Sequence, residues 1–294
     1  MADPLTPSDL AGGLAGTDVA LHDAGNVGAG LRRGAWRCAI DGKTITAIAG
    51  LLGLAYLVAM AVPAIRRALP FKWEHPLGAY GLLLLISGNY LGLFYAPGEL
   101  FMGDVGRILH VHVPAAWIAM LSFMLAGIFG FGSLWTSRRG WDSAMEAASE
   151  VGVMEATLLC ILGAIWGRAT WGVWWTWDPR LTTTAVMLIS FVGVLLLRAV
   201  VTDPDRRASW SGAASVLATV NVPITYMSVK WAGLHQAPSE TMNNSAIDDA
   251  LRWVMYYNTW AFLFLMVWFM ARRWRIAELR AEAEVPDALP EIGA

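Results

Sequence analysis

Charge is scarce in this sequence. Only 15% of its 294 residues are Asp, Glu, Lys or Arg, against roughly 25% in a soluble domain. The formal net charge is -2, and no basic stripe is present, which excludes a nucleic-acid-binding surface. Cysteine is scarcer still. Cys38 and Cys160 lie far apart, with neither the density of a disulfide framework nor the spacing of a metal site. Cys160 falls inside an apolar run and reads as a small core residue. No Walker-type phosphate loop occurs, so any ATP hydrolysis belongs to a partner, and the chain does not read as an enzyme. Residues 1 to about 31 are rich in Ala, Gly and Asp and lack the basic-then-apolar order of a signal peptide. That stretch and the acidic tail after about residue 280 are expected to be disordered.

Apolar residues are abundant instead: the hydrophobic fraction is 56% and the mean hydropathy +0.49. They fall in seven runs near 44–63, 77–96, 112–133, 151–167, 182–198, 212–229 and 254–271. Each approaches the roughly 20 residues that cross a bilayer. The fourth is short and contains Glu155. The predicted fold is all-α, a polytopic membrane helix bundle of six core transmembrane helices, with an extra N-terminal one if 44–63 also spans. The division is a leader over 1–43, the extra run and a cytoplasmic loop over 44–76, a six-span domain over 77–275 and a cytoplasmic tail over 276–294.

Lys and Arg set the orientation. The segments after the first, third, fifth and seventh runs hold Arg66, Arg67, Lys72, Arg138, Arg139, Arg198, Arg206, Arg207, Arg272, Arg273, Arg275 and Arg280. The alternate segments hold only Arg107, Arg168, Arg180, Lys230 and Arg252. The first set is therefore cytoplasmic. Run 44–63 has basic residues on both sides, so charge leaves two arrangements open: a seventh span, or a helix along the membrane.

Three segments then face outward, near 97–111, 168–181 and 230–251. The middle one places Trp171, Trp174, Trp175 and Trp177 within seven positions, between Arg168 and Arg180. As a helix it would set Trp171, Trp174, Trp175 and Asp178 on one face, a flat aromatic shelf. Two readings remain even: an interfacial aromatic belt, or a seat for a large planar anion such as a porphyrin, with indoles to stack on and guanidinium groups for its propionates. Asp178 before Pro179 reads first as a helix cap. The first external segment enters the next span through His110, His112 and Pro114, and two residues apart on a helix the histidines point different ways. The third contains Lys230, Trp231 and His235. Histidines from two external segments beside an aromatic cluster fit axial haem ligation.

The stretch Trp171-Gly172-Val173-Trp174-Trp175-Thr176-Trp177-Asp178 resembles the WWD signature of the haem-handling proteins of cytochrome c biogenesis. Its continuation Pro179-Arg180-Leu181-Thr182-Thr183 resembles the CcmC branch rather than the CcsA type. His112-Val113-Pro114-Ala115-Ala116 and Ser228-Val229-Lys230-Trp231-Ala232-Gly233-Leu234-His235-Gln236 resemble the two CcmC segments that bear histidine ligands. Ala232 departs from that pattern, which has a second Trp there, and run 44–63 lies outside its six spans. The resemblance covers roughly residues 77 to 275.

The resemblance implies a haem-binding protein of the bacterial inner membrane, its WWD segment on the periplasmic side. Haem b would be bound transiently by Trp171, Trp174, Trp175, Trp177 and Asp178, with His112 and His235 as axial ligands. Arg168 and Arg180 are candidate propionate partners from charge and position. The implied partners are the haem chaperone CcmE, the small protein CcmD and the ATPase pair CcmA and CcmB, alongside membrane lipid. Three alternatives compete: CcsA-type delivery of haem to apocytochrome, a b-type electron-transfer cytochrome, and a permease with an aromatic belt. A b-type cytochrome usually fixes haem between histidines inside the bundle, and none of the five histidines here is central in a run.

Overall fold

A computed structural model of the chain describes residues 41–68, 72–98, 102–228 and 248–283. The compact helical unit begins at Thr46. Helix α1 spans Gly42–Ala61, α2 Pro63–Ala68, α3 Glu74–Tyr90, α4 Leu109–Thr136, α5 Arg139–Trp171, α6 Pro179–Val200, α7 Pro204–Thr219, α8 Asn221–Met227 and α9 Asp249–Ala283. A π-helical turn, Leu91–Tyr95, extends α3, and a 3-10 turn, Asp104–Ile108, leads into α4. Among the described residues six helices, α1, α3 with its π turn, α4 with its 3-10 turn, α5, α6 and α9, are long and apolar enough to cross a membrane. Their outward faces stay apolar, with Leu51, Val58, Ile189 and Leu196 exposed, as a lipid-facing surface requires. The protein is an all-α, multi-pass membrane bundle.

Run 44–63 forms a true helix of the bundle. Trp260 and Phe264 of α9 press against Gly50 and Gly53, where a Cβ would come within 2.3 and 2.0 Å of their rings. Tyr80 donates to the Ala49 carbonyl at 2.9 Å, and Thr46 donates to that of Trp253 at 3.3 Å. The short fourth run is the middle of a much longer helix, the 33-residue α5.

The run 212–229 differs from expectation. It is not one helix but the end of α7 and all of α8, broken at Val220. Pro223 is the physical reason, since it has no N–H to return to the carbonyl of Thr219. Side chains brace the break: Thr219 Oγ1 donates to the Phe123 carbonyl at 3.1 Å, and Asn221 Nδ2 to that of Thr183 at 2.8 Å.

Helices α4 and α5 form an antiparallel hairpin whose turn places Ser137 in the left-handed region at φ 52°. Phe123 seats on Gly152, and farther along the same seam His112 faces Gly163. Phe123 also stacks on Phe191 of α6, with centroids 4.0 Å apart. The 35-residue α9 packs against α3, α4 and α5. At about 1.5 Å per residue it exceeds the roughly 30 Å hydrocarbon thickness. Its far end carries Arg272, Arg273 and Arg275, and there Glu150 pairs with Arg273 while Asp142 and Glu146 pair with Arg198. The bundle thus has an Arg-rich end and, opposite, a Trp-rich end.

Candidate functional site

The site is built where α4 begins and α5 ends. Pro114 lies six residues into α4 and withholds the N–H that would close on the His110 carbonyl. Asn258 of α9 supplies the missing donor, Nδ2 to His110 O at 3.0 Å. The His110 ring is buried, with Nδ1 against the Arg107 carbonyl and Nε2 3.2 Å from Asn89 Oδ1. Asn89 Nδ2 is held by the Leu85 carbonyl at 2.8 Å. The π turn brings Gly92 directly against that ring. Both His110 nitrogens face oxygen acceptors, a neutral ring donating to one of the two, and this enclosure makes His110 a strut.

His112 points elsewhere, into the seam with α5. Its ring lies 6.1 Å from that of Trp166, tilted by 32°, and its Cε1 would be 3.2 Å from a Cβ on Gly163. Trp166 is buried and meets Trp171 edge-on at 5.1 Å. His112, Trp166 and Trp171 thus form one aromatic wall.

The helical shelf expected over Trp171–Asp178 does not form. Helix α5 stops at Trp171, because Gly172 turns left-handed at φ 76°, and Arg168 closes the turn by donating to the Gly172 carbonyl. Asp178 is extended, as a residue before Pro must be, at φ -69°, ψ 163°. Residues 172–178 form a non-helical strap between two helix ends. Trp174 and Trp177 stand out from it, 61% and 78% exposed, while Trp175 turns inward and meets Trp177 edge-on at 5.9 Å. The buried Nε1 of Trp175 has no hydrogen-bond partner among the described residues.

Asp178 caps α6 as its sequence context indicates, Oδ1 accepting from Leu181 N at 2.8 Å. Oδ2 accepts from Thr176 Oγ1 at 3.3 Å. Arg180 donates to the Thr225 carbonyl of α8 at 2.9 Å, tying the start of α6 to the helix that leads toward His235. His235, Lys230 and Trp231 lie outside the described residues. The structure therefore joins His112 to Trp166, Trp166 to Trp171, and Trp175 to Trp177. Arg168 and Arg180 each spend a donor on a backbone carbonyl.

Among the described residues no three His, Cys, Asp or Glu side chains gather as a metal site. A single imidazole beside indole faces suits a metal already held in a macrocycle better than a bare ion. Two exposed indoles and one orphaned indole N–H fit a broad, flat, partly polar ligand at this strap.

The family model described as Heme exporter protein C matches residues 56–288. The chain belongs to the CcmC family. Among its curated relatives, each named Heme exporter protein C, that of Bradyrhizobium diazoefficiens is 31% identical over 213 residues, covering 72% of this chain and 81% of its own. The Haemophilus influenzae protein is 31% identical over 214 residues, covering 72% and 87%. That of Escherichia coli K12 is 30% identical over 217 residues, covering 73% and 87%. The family match begins inside α1, so most of that helix precedes the part shared with the family.

Sequence reasoning left Trp166 out of the site. Its signal was there: five residues before Trp171, it ends the apolar run opposite the His112 segment. Asn258 was missed too, although Pro114 announces an orphaned carbonyl four residues earlier. Gly172→Ala is expected to destabilise this CcmC-family protein by about 1 kcal/mol, from backbone strain alone. No atom lies within 4 Å of the added methyl, so a melting curve in detergent reads that strain without a clash.

Proposed function

We propose that this protein binds haem at the outer face of the bacterial inner membrane and hands it on for cytochrome c maturation. The observation that carries this reading is the His112 imidazole seated against Trp166, which in turn meets Trp171 where the Trp174–Trp177 strap begins. The relatives' common name, Heme exporter protein C, supports haem as the cargo. The Arg-rich end faces the cytoplasm, as the distribution of basic residues favours, which leaves the Trp-rich end outside.

In this mechanism haem b is held transiently and supplies the iron that imidazole ligates. Trp174 and Trp177 offer their faces to the porphyrin, and Trp166 keeps the His112 ring upright in the seam. Asp178 holds the strap's far end by capping α6. Arg168 and Arg180 direct their remaining N–H groups to the propionates. His235 provides the second axial ligand from the segment that follows α8. His112 lies near the outer end of its span, which suits cargo that must leave, and delivery goes to the chaperone CcmE. CcmD is the companion subunit, and the CcmA and CcmB pair provides ATP hydrolysis for release.

The test is the absorption spectrum of the detergent-purified protein beside a variant with both His112→Ala and His235→Ala. A Soret band in the parent that is lost or strongly shifted in the variant is the expected result. Absence of haem from both under ample haem supply would overturn it in favour of a permease. Unchanged haem retention on replacing Arg168 and Arg180 together by Gln would remove them as propionate partners.

A further inference from the structure

Glu155 has no part in the haem site described above. It lies in the apolar middle of α5, is 4% exposed, and its Oε2 has no hydrogen-bond partner among the described residues. Eleven residues, about three turns, separate it from Trp166 on the same helix face. One turn the other way, Val151 packs with Ile118, Phe262 and Met266 where α4, α5 and α9 meet. Gly163 marks the level of His112 on α5, so Glu155 lies about 12 Å along the helix from that level. Ser122 of α4, fully buried, has an unpartnered Oγ as well. With Phe123 seated on Gly152, the hairpin register sets Ser122 within a turn of Glu155.

Among the described residues no counter-charge faces this carboxyl. On α4 the only titratable groups are His110 and His112, at the Trp-rich end, and none follows through Thr136. On α9, Tyr256 and Tyr257 stand toward the Trp-rich end, with Arg272 and Arg273 toward the other, and residues 258–271 contain none. Residues 181–197 of α6 contain none, and its Arg180 and Arg198 flank them. The charges of α7, Asp205, Arg206 and Arg207, lie in its first turn, and Asp104 and Arg107 of the 3-10 turn sit at the Trp-rich end. On α5 itself Glu150 is paired with Arg273, Cys160 is uncharged, and Arg168 is beyond Trp166. An ionised carboxylate inside a span and without a partner is costly, and such residues mark functional positions.

We propose that Glu155 is a proton-binding site within the membrane, holding its proton while the His112 site is empty and releasing it when ferric haem binds there. The inference rests on the haem reading above. Ferric iron in a porphyrin dianion carries one net positive charge; with the two propionates turned outward to Arg168 and Arg180, the iron centre is the nearer charge, and at roughly 12–16 Å across protein of effective dielectric about 20 it favours the carboxylate by at most some five- to tenfold. The step moves no electrons: the Glu155 O–H bond breaks, its electron pair stays on the carboxylate, and the proton goes to solvent.

The experiment titrates hemin into the full-length protein in nanodiscs, in weak buffer with a pH indicator. It compares the parent with Glu155→Gln and Glu155→Asp, and records infrared spectra before and after. The parent is expected to release more protons than Glu155→Gln, by up to about half a proton per haem at a pH near the midpoint of the carboxyl, with Glu155→Asp following the parent. A carboxylic-acid C=O band present in the haem-free parent, absent from Glu155→Gln and diminished by haem, is the matching spectral result. Equal proton release by parent and Glu155→Gln, with haem bound to both, overturns the linkage and leaves the haem reading standing. A protein that takes up no haem overturns both. In that case the infrared difference between the haem-free forms still decides whether Glu155 holds a proton.

Discussion

Arg198→Met is expected to destabilise the protein by about 3 kcal/mol, the low end of the range for removing one partner of a buried ion pair. Arg198 is 8% exposed at its side chain and binds two carboxylates of α5 at once, Asp142 at 2.6 Å and Glu146 at 2.7 Å. It also donates to Ser211 Oγ of α7 at 2.8 Å, so one guanidinium joins three helices at the Arg-rich end. Removing it leaves Asp142 and Glu146 one helical turn apart with like charge, offset in part by Arg280, 3.7 Å from Glu146, and by the nearby Arg273. Arg198→Lys is expected to recover part of the loss, because an ammonium cannot span both carboxylates as the planar fork does. Adding Asp142→Asn and Glu146→Gln to Arg198→Met should restore most of it, since no uncompensated charge then remains. Unfolding curves in mixed detergent compare these three variants with the parent. Equal stability of Arg198→Met and the parent would show that the network is solvated and carries no load.

Where the sequence was legible, a local rule with a physical cause applied. Asp178 before Pro179 reads as a cap, and it caps α6. The apolar runs read as membrane helices because twenty apolar residues have few other uses, and run 44–63 finds its place in the bundle through Gly50 and Gly53. The failures share a cause as well. Hydropathy is blind to backbone donors, so 212–229 passed as a single span although Pro223 leaves its ladder broken at Val220. The helical Trp shelf assumed that spacing outweighs turn chemistry, yet Gly172 and Pro179 bracket the strap and forbid the helix. Arg198 counted only as a topogenic charge, and nothing nearby in sequence identifies its partners, more than fifty residues away. The place of Trp166 against His112 depends on the α4–α5 register, which no single segment encodes.

The turn that carries His112 supplies the second large effect, because its integrity depends on one side chain from another helix. Pro114 leaves the His110 carbonyl without its helical donor, and Asn258, fully buried in a niche at Gly88, fills the gap. Asn258→Leu keeps the same branched heavy-atom skeleton and removes the donor, so a buried carbonyl is left unsatisfied at a cost of about 2 kcal/mol. Losing the unpartnered Asn258 Oδ1 offsets a little of this. The decisive comparison is the same substitution in a Pro114→Ala background. There residue 114 regains its N–H, the helix closes on the His110 carbonyl by itself, and Asn258→Leu is expected to cost less than about 0.5 kcal/mol. Equal costs in the two backgrounds would mean that the amide does not serve the proline's orphan. Because His112 lies midway between His110 and Pro114, a slackened turn also moves the imidazole off Trp166. The Asn258→Leu protein should therefore lose haem faster than the parent, and Pro114→Ala should slow that loss again, a rescue that general destabilisation does not predict.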